Sequence, residues 1–389
     1  MKIAFIRYPD YLYKSEKVIK GGSEVANQQI IDALRSSGVE VVEFAPESQE
    51  RFELASVPAI GTPLMFQDLY KKIDEINSCD LVVTTNWFGM IIPEIKVPLV
   101  VIFHSNSKSL ARSIDIKNIT DKENLKKWLD RAKEFGLGLE SKQGIHEQII
   151  AIEEEYYCKN ADHVVAVSEA LRESLIEDYQ IAKERITAIN NPYDADWEGV
   201  EIKKDFSSKL EVVALTRLPG DLNGFVWKSA DRIAEVFSNL KNVKTTIVAG
   251  VGKANYRDFF IKFVPDAQLV ENADHGQVAS ILSKANIALL MSRWEACQMT
   301  LIESMTMGVI PISFRVGVAE EAIEDGVNGF LVESIDEALS VVDMLDKDRE
   351  LAAKISANAR KSAKEKFNTN YIGEEYKSLF EEIINKSRF

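Results

Sequence analysis

Two carboxylates in the stretch MSRWEACQMTLIESMTMGVIPISF (residues 291–314) are placed where chemistry is possible. Glu295 follows an apolar run that reads as a buried strand, and Glu303 sits at the start of a helical pattern, with seven residues between them. A carboxylate at such a helix start can accept two hydrogen bonds from a vicinal diol such as a ribose. The backbone amides near Met299, Thr300 and Leu301 can meet a phosphate at the helix N-terminus. The same residues also suit a plainer pattern, in which Glu303 complements the helix dipole and Glu295 is a solvated loop residue.

Three other stretches carry groups suited to anions and hydroxyls. In KGGSEVANQQ (20–29), Gly21 and Gly22 precede a helical pattern. Glycines let a backbone approach a ligand closely and free helix amides attract phosphate, although Gly-Gly equally serves to turn the loop. In VVIFHSNS (100–107), His104 stands where a strand ends, as a donor to a hydroxyl or phosphate or as a satisfied structural histidine. In LTRLPGDLNGFVWKS (215–229), Arg217 follows a strand. Its planar donor fork suits a diphosphate, and suits a neighbouring surface carboxylate as well. No pair of histidines has metal-ligand spacing. The three cysteines, Cys79, Cys158 and Cys297, are too far apart to suggest a zinc site or a disulfide framework.

The elements that must position these groups recur in order. Apolar, β-rich runs at 2–7, 39–44, 80–85, 98–103 and 162–168 alternate with helical patterns such as 23–38. The second half repeats the theme with runs at 210–216, 244–250, 286–292, 309–314 and 328–333, and helices at 228–240 and 276–284. Continuous apolar runs predict parallel strands buried on both faces. The whole predicts an α/β protein with two Rossmann-like, doubly wound parallel-sheet domains facing a cleft. Functional side chains then belong just past the strand ends. Asn-Asn-Pro turn chemistry within 186–205 sets the boundary, dividing the chain into 1–193 and 194–368. Residues 369–389 read as an amphipathic helix packing back on the first domain. The charged stretch at about 105–160 breaks the rhythm and predicts a helical insertion packed on the first domain.

With 389 residues the chain exceeds the size at which single cores stop growing, which favours two domains. No apolar run reaches the length of a membrane span, and the N-terminal stretch reads as a first strand rather than a signal peptide. Together with the cysteine usage this points to a reducing cytoplasm. The formal net charge of −14 disfavours a double-stranded nucleic acid as partner. Lys108, Arg112, Lys117, Lys126, Lys127, Arg131 and Lys133 are interleaved with acids. They read as a solvated helix face more readily than as a peripheral membrane contact.

Taken together, these stretches resemble a retaining glycosyltransferase of the GT-B fold, in the large family four with its Glu-x7-Glu pair. The resemblance rests on Gly21-Gly22, His104, ADHVVAVSEAL (161–171), INNPYD (189–194), Arg217, AGVG (249–252), the pair Glu295 and Glu303, and the block GVIPISFRVGVAEEAIEDGVNGFLVE (308–333). It implies a nucleotide-diphosphate sugar as donor, held mainly by the second domain around Gly250. Glu303 would hold the ribose diol. Arg217 and the amides of Gln298, Met299, Thr300 and Leu301 would hold the diphosphate, with Glu295 near the sugar hydroxyls. Gly22 would approach the phosphate from the first domain, and His104 would lie near the transferred sugar or the acceptor. No cofactor or essential metal is implied. Where the family has a lysine after the arginine, this chain has Asn223, and Lys228 one turn on is the candidate substitute. Ala296 and Gln298 replace the usual glycines around the first glutamate. The alternatives are a GT-B enzyme acting on modified nucleic-acid bases and a catalytically silent GT-B subunit supporting a partner.

Overall fold

A computed structural model of the protein describes residues 1–7, 22–46, 68–85, 89–139 and 145–387, so Gly21 lies outside the described residues. The chain divides into two compact units: Met1–Ser109, Gln143–Pro192 and Phe367–Phe389 form the first, and Leu110–Lys142 with Tyr193–Lys366 form the second.

The first unit begins with β1 (Lys2–Ile6), α1 (Gly22–Ser36), β2 (Glu40–Phe44), β3 (Leu81–Thr85) and β4 (Leu99–Phe103). Helix α2 (Ser107–Ile114) carries the chain into the second unit, where α3 (Lys122–Ala132) follows. The chain then returns through α4 (Ile145–Asn160), β5 (His163–Ala166), α5 (Glu169–Tyr179) and β6 (Ile186–Ala188). Its six strands are parallel in the order β2-β1-β3-β4-β5-β6. Strands β3, β4 and β5 are buried at every residue, as continuous apolar runs covered on both faces should be.

The second unit runs β7 (Glu211–Arg217), α6 (Leu222–Trp227), α7 (Ala230–Asn239), β8 (Lys244–Gly250), α8 (Tyr256–Phe263), β9 (Ala267–Glu271), α9 (His275–Lys284) and β10 (Ile287–Leu290). It continues through α10 (Met299–Thr306), β11 (Ile310–Phe314), β12 (Phe330–Val332), α11 (Ile335–Lys347) and α12 (Arg349–Lys366). Its sheet is also six-stranded and parallel, in the order β12-β11-β10-β7-β8-β9. The helix predicted over 228–240 starts only at Ala230, because Ser229 takes a left-handed conformation (φ 53°) that separates α6 from α7.

The C-terminal helix α13 (Thr369–Ser387) packs on α1 of the first unit. Gly373 permits this, since a Cβ there would run into the carbonyl of Ala33.

The insertion requires a correction. Residues 110–142 belong to the second unit, not to the domain from which the chain leaves. The reason is the apolar face of α3. Leu125, Trp128, Leu129 and Ala132 are buried in one core with Phe225, Ile233, Phe259 and Phe260. The Trp128 ring meets those of Phe259 and Phe263 edge-on, with centroids 5.9 and 5.7 Å apart. No helix among the described residues is long and apolar enough to cross a membrane.

Candidate functional site

In the second unit, β7 ends at Arg217, which is in register with Gly250 at the end of β8. Strand β10 pairs with β7 on its other side. The loops leaving β10, β7 and β8 are therefore neighbours at the carboxyl end of the sheet, where open α/β sheets bind ligands. Arg217 is exposed, and its guanidinium has no hydrogen-bond or carboxylate partner among the described residues.

The loops after β7 and β10 are fastened to each other. The Arg293 amide donates to the Trp227 carbonyl (3.0 Å), and the Trp227 indole donates to the Trp294 carbonyl (2.7 Å). Lys228 Nζ lies 2.7 Å from Glu295 Oε1, with side chains only 12% and 13% exposed, so Glu295 is not a solvated loop residue. The Lys228 ammonium also sits 4.1 Å from the centroid of the Trp227 ring. An ammonium has three protons to donate. One serves Glu295, which leaves capacity for an anionic ligand. Asn223, at the position the family gives to lysine, lies in α6 with a buried Nδ2 that has no partner among the described residues.

Beneath Glu295 the guanidinium of Arg293 is buried. It makes a two-pronged pair with Asp231 (both 2.7 Å) and reaches Asp121 (2.8 Å), Ser229 Oγ (3.3 Å) and the Val226 carbonyl (3.1 Å). Arg232 pairs with Asp121 as well (2.7 Å). Burial pushes the Asp121 carboxyl up, but the hydrogen bonds and charges of Arg232 and Arg293 outweigh it and hold the group below its ordinary range. Paired in this way, the three buried charges of Asp231, Arg232 and Arg293 and the partly buried Asp121 compensate one another.

Helix α10 presents the second glutamate. Gln298 is its N-cap but makes no capping bond, and its buried Oε1 has no partner among the described residues. The Thr300 amide has no acceptor among the described residues, while the Leu301 amide donates to the Gln298 carbonyl at 2.9 Å. Met299 and Leu301 are buried and complete the first turn. Glu303 is the fifth helical residue, next to the first turn. Its half-buried carboxylate has no hydrogen-bond partner among the described residues. Burial and the nearby Asp194 carboxylate push it up to about 7. Asp194 itself accepts from the Asp196 amide (2.9 Å) and lies 3.6 Å from His275 Nε2.

In the first unit, Gly22 opens α1 and is exposed. His104 follows β4, and its Nε2 lies 2.9 Å from Asn27 Oδ1 of α1. Burial lowers its pKa to about 4, so the ring is neutral at pH 7. With the proton on Nε2, Nδ1 is left as an acceptor. Thus Arg217, Lys228, Gly250, Glu295, Gln298, Met299, Thr300, Leu301 and Glu303 are gathered in one unit, and Gly22 and His104 in the other. Among the described residues no group of three or more His, Cys, Asp or Glu side chains is arranged to hold a metal ion.

Sequence reading missed Asn27, Asp194 and the paired set Asp121, Asp231, Arg232 and Arg293. Arg293 was in view beside Glu295, but its partners lie 62 and 172 residues away. Asn27 had a local signal, as a polar residue on the buried face of α1, and Asp194 closes the INNPYD stretch.

Two six-stranded parallel sheets, each flanked by helices, are the architecture of the GT-B class. Residues 20–197 match the model described as Glycosyltransferase Family 4, and residues 225–362 match Glycosyl transferases group 1. Together these two matches support a glycosyltransferase of the family 4 type. It is 25% identical over 248 residues to an uncharacterized glycosyltransferase of Methanocaldococcus jannaschii, covering 58% of this chain and 60% of that one. It is 32% identical over 114 residues to the N-acetyl-alpha-D-glucosaminyl L-malate synthase of Bacillus anthracis, covering 28% and 30%. The chain thus spans less than two thirds of the length of either relative. Among solved structures, HepE of Anabaena in complex with UDP and glucose superposes with a TM-score of 0.66 at 16% identity, covering 98% of this chain and 100% of that one.

Proposed function

We propose that the protein is a retaining glycosyltransferase that moves a sugar from a nucleoside-diphosphate sugar to a hydroxyl of a glycan, lipid or other acceptor, without an essential metal ion. The observation that carries this reading is Glu303. A half-buried carboxylate with no hydrogen-bond partner among the described residues, raised to about 7, is held at a cost that a ligand's hydroxyls would relieve. The 2′- and 3′-hydroxyls of a ribose are the donors that a carboxylate accepts as a pair.

In the proposed reaction the bond from the anomeric carbon to the diphosphate oxygen breaks. The acceptor oxygen bonds to that carbon on the same face, and its proton passes to the departing phosphate. Negative charge grows on the leaving diphosphate. Arg217, Lys228 and the open amide of Thr300 are the donors proposed to meet it, each worth about 3–4 kcal/mol when aimed at developing charge. Glu295, steadied by Lys228, would accept from the sugar hydroxyls. His104 and Gly22 are proposed as the first unit's contribution, His104 as a neutral hydrogen-bonding group. The UDP and glucose held by HepE make UDP-glucose the first donor to try.

The test is thermal shift of the purified protein with UDP, GDP, ADP, CMP and their common sugars, with and without EDTA, beside Glu303→Ala. Binding only the folded state raises the melting temperature. Stabilisation by one nucleoside diphosphate, unchanged by EDTA and lost in the variant, is the expected result. No shift with any of them would sink the donor assignment and favour a silent GT-B subunit.

A further inference from the structure

We infer that the insertion, residues 110–142, is a brace for the two loops carrying Lys228 and Glu295, and that Asp121 is its positioning residue. Two separate anchors motivate this. Asp121 is the N-cap of α3, a position where an aspartate normally accepts an amide of its own helix. Here its side chain makes no capping bond. It is turned instead to Arg232 Nε (2.7 Å), Arg232 Nη2 (3.3 Å) and Arg293 Nη2 (2.8 Å). Arg293 is two residues before Glu295. Its guanidinium also holds the Val226 carbonyl (3.1 Å) just before Trp227 and Lys228, and Arg232 Nη1 holds the Met291 carbonyl (3.3 Å).

The second anchor lies at the other end of the insertion. The Gly138 amide donates to the Gly220 carbonyl, and the Leu222 amide donates to the Leu139 carbonyl, both at 2.9 Å. Residue 139 therefore bridges to residue 221 as a strand would. This fixes the loop between Arg217 and α6, whose first turn Asp221 caps through the Gly224 amide (2.8 Å). Between the anchors, the Trp128 indole donates to Glu235 on α7 (2.6 Å). The insertion thus grips the loop after β7 at its start and, through the two arginines, its end together with the loop after β10. A group held by two independent restraints loses less freedom when a ligand binds, so the affinity of these loops for an anion depends on the brace.

The inference rests on the donor-site reading only for its affinity measurement; loop order is measured without ligand. The experiment compares the full chain with Asp121→Ala and Leu125→Ala. Leu125 is buried in the core beneath α3, and no polar contact links it to either loop. Amide hydrogen exchange is followed in peptides covering 218–229 and 291–300, and binding of UDP and GDP is measured by calorimetry. Exchange at least 10-fold faster in both peptides for Asp121→Ala, with binding weakened about 10-fold, is expected. Leu125→Ala should lower the melting temperature without either effect. If Asp121→Ala does not fold, Asp121→Asn, which keeps the shape and one acceptor, should move both readouts in the same direction by less. Equal exchange in wild type and the Asp121 variants, or the same loosening in Leu125→Ala, would overturn the brace. If wild type binds neither nucleotide while exchange behaves as stated, the donor reading falls and the brace stands.

Discussion

Glu303 destabilises the free protein once its carboxyl is ionised. Its ordinary pKa is 4.5 and burial raises it to about 7 in the folded state. The unfolded chain therefore sheds this proton first as pH rises. Stability is lost progressively from the ordinary value up to about 7 and stays lost above it. At about 1.36 kcal/mol per unit, the penalty is roughly 3 kcal/mol at alkaline pH. Glu303→Gln removes the charge and keeps the shape. It should raise stability in urea unfolding at pH 8 by about 2–3 kcal/mol, give no gain near pH 4.5, and lose nucleoside-diphosphate binding. An equal gain at both pH values would mean that burial of charge is not the cause. In the wild type, hydroxyl donors favour the ionised form, so binding near pH 6 should release a proton, seen as buffer-dependent heat in calorimetry.

At the scale of elements, the backbone of the Glu295 loop is held by what packs on it. Gly317, between β11 and β12, has φ +55°, and a Cβ there would lie 2.7 Å from the Glu295 carbonyl and 2.8 Å from that of Ala296. Gly326 has φ +73° with nothing within 4 Å. Gly326→Ala should therefore cost only the left-handed backbone term, about 1–2 kcal/mol. Gly317→Ala adds a clash with backbone, for a total of about 2–4 kcal/mol, and should weaken donor binding as the loop shifts. Denaturation and calorimetry on both variants separate strain from displacement. The same scale explains what the sequence made legible. The runs of β3, β4 and β5 are apolar at nearly every position because both faces are covered, so they announced themselves. Strand β9 escaped notice because, as an edge strand, it is nowhere fully buried and carries no apolar run. Glu303 and Arg217 were legible as residues at strand and helix ends. The Lys228–Glu295 pair was not, because it joins loops 67 residues apart. The apolar face of α3 could be seen in the sequence, but its partner could not, since amphipathic spacing says that a face is buried and not by what.

For the whole molecule, the seat of the insertion changes what counts as a domain. The chain passes between its two units four times, after Ser109, Lys142, Pro192 and Lys366. A cut at the single linker near 193 would therefore yield a C-terminal fragment without α3. Leu125, Trp128, Leu129 and Leu137 are all buried in the shared core. Burial of a large apolar side chain is worth about 1.5–3 kcal/mol, so losing these contributes on the order of 8 kcal/mol. That is comparable with the entire stability of a typical domain, about 5–15 kcal/mol. Residues 193–366 expressed alone should accordingly show no cooperative thermal transition and should bind a hydrophobic dye. The same fragment preceded by residues 110–142 on a flexible linker should melt cooperatively, because those residues supply both the missing core and Asp121. Should residues 193–366 fold alone and bind a nucleoside diphosphate as tightly as the full chain, the second unit would be complete without its insertion, and the apolar contacts of α3 would be an accessory to a core already sufficient.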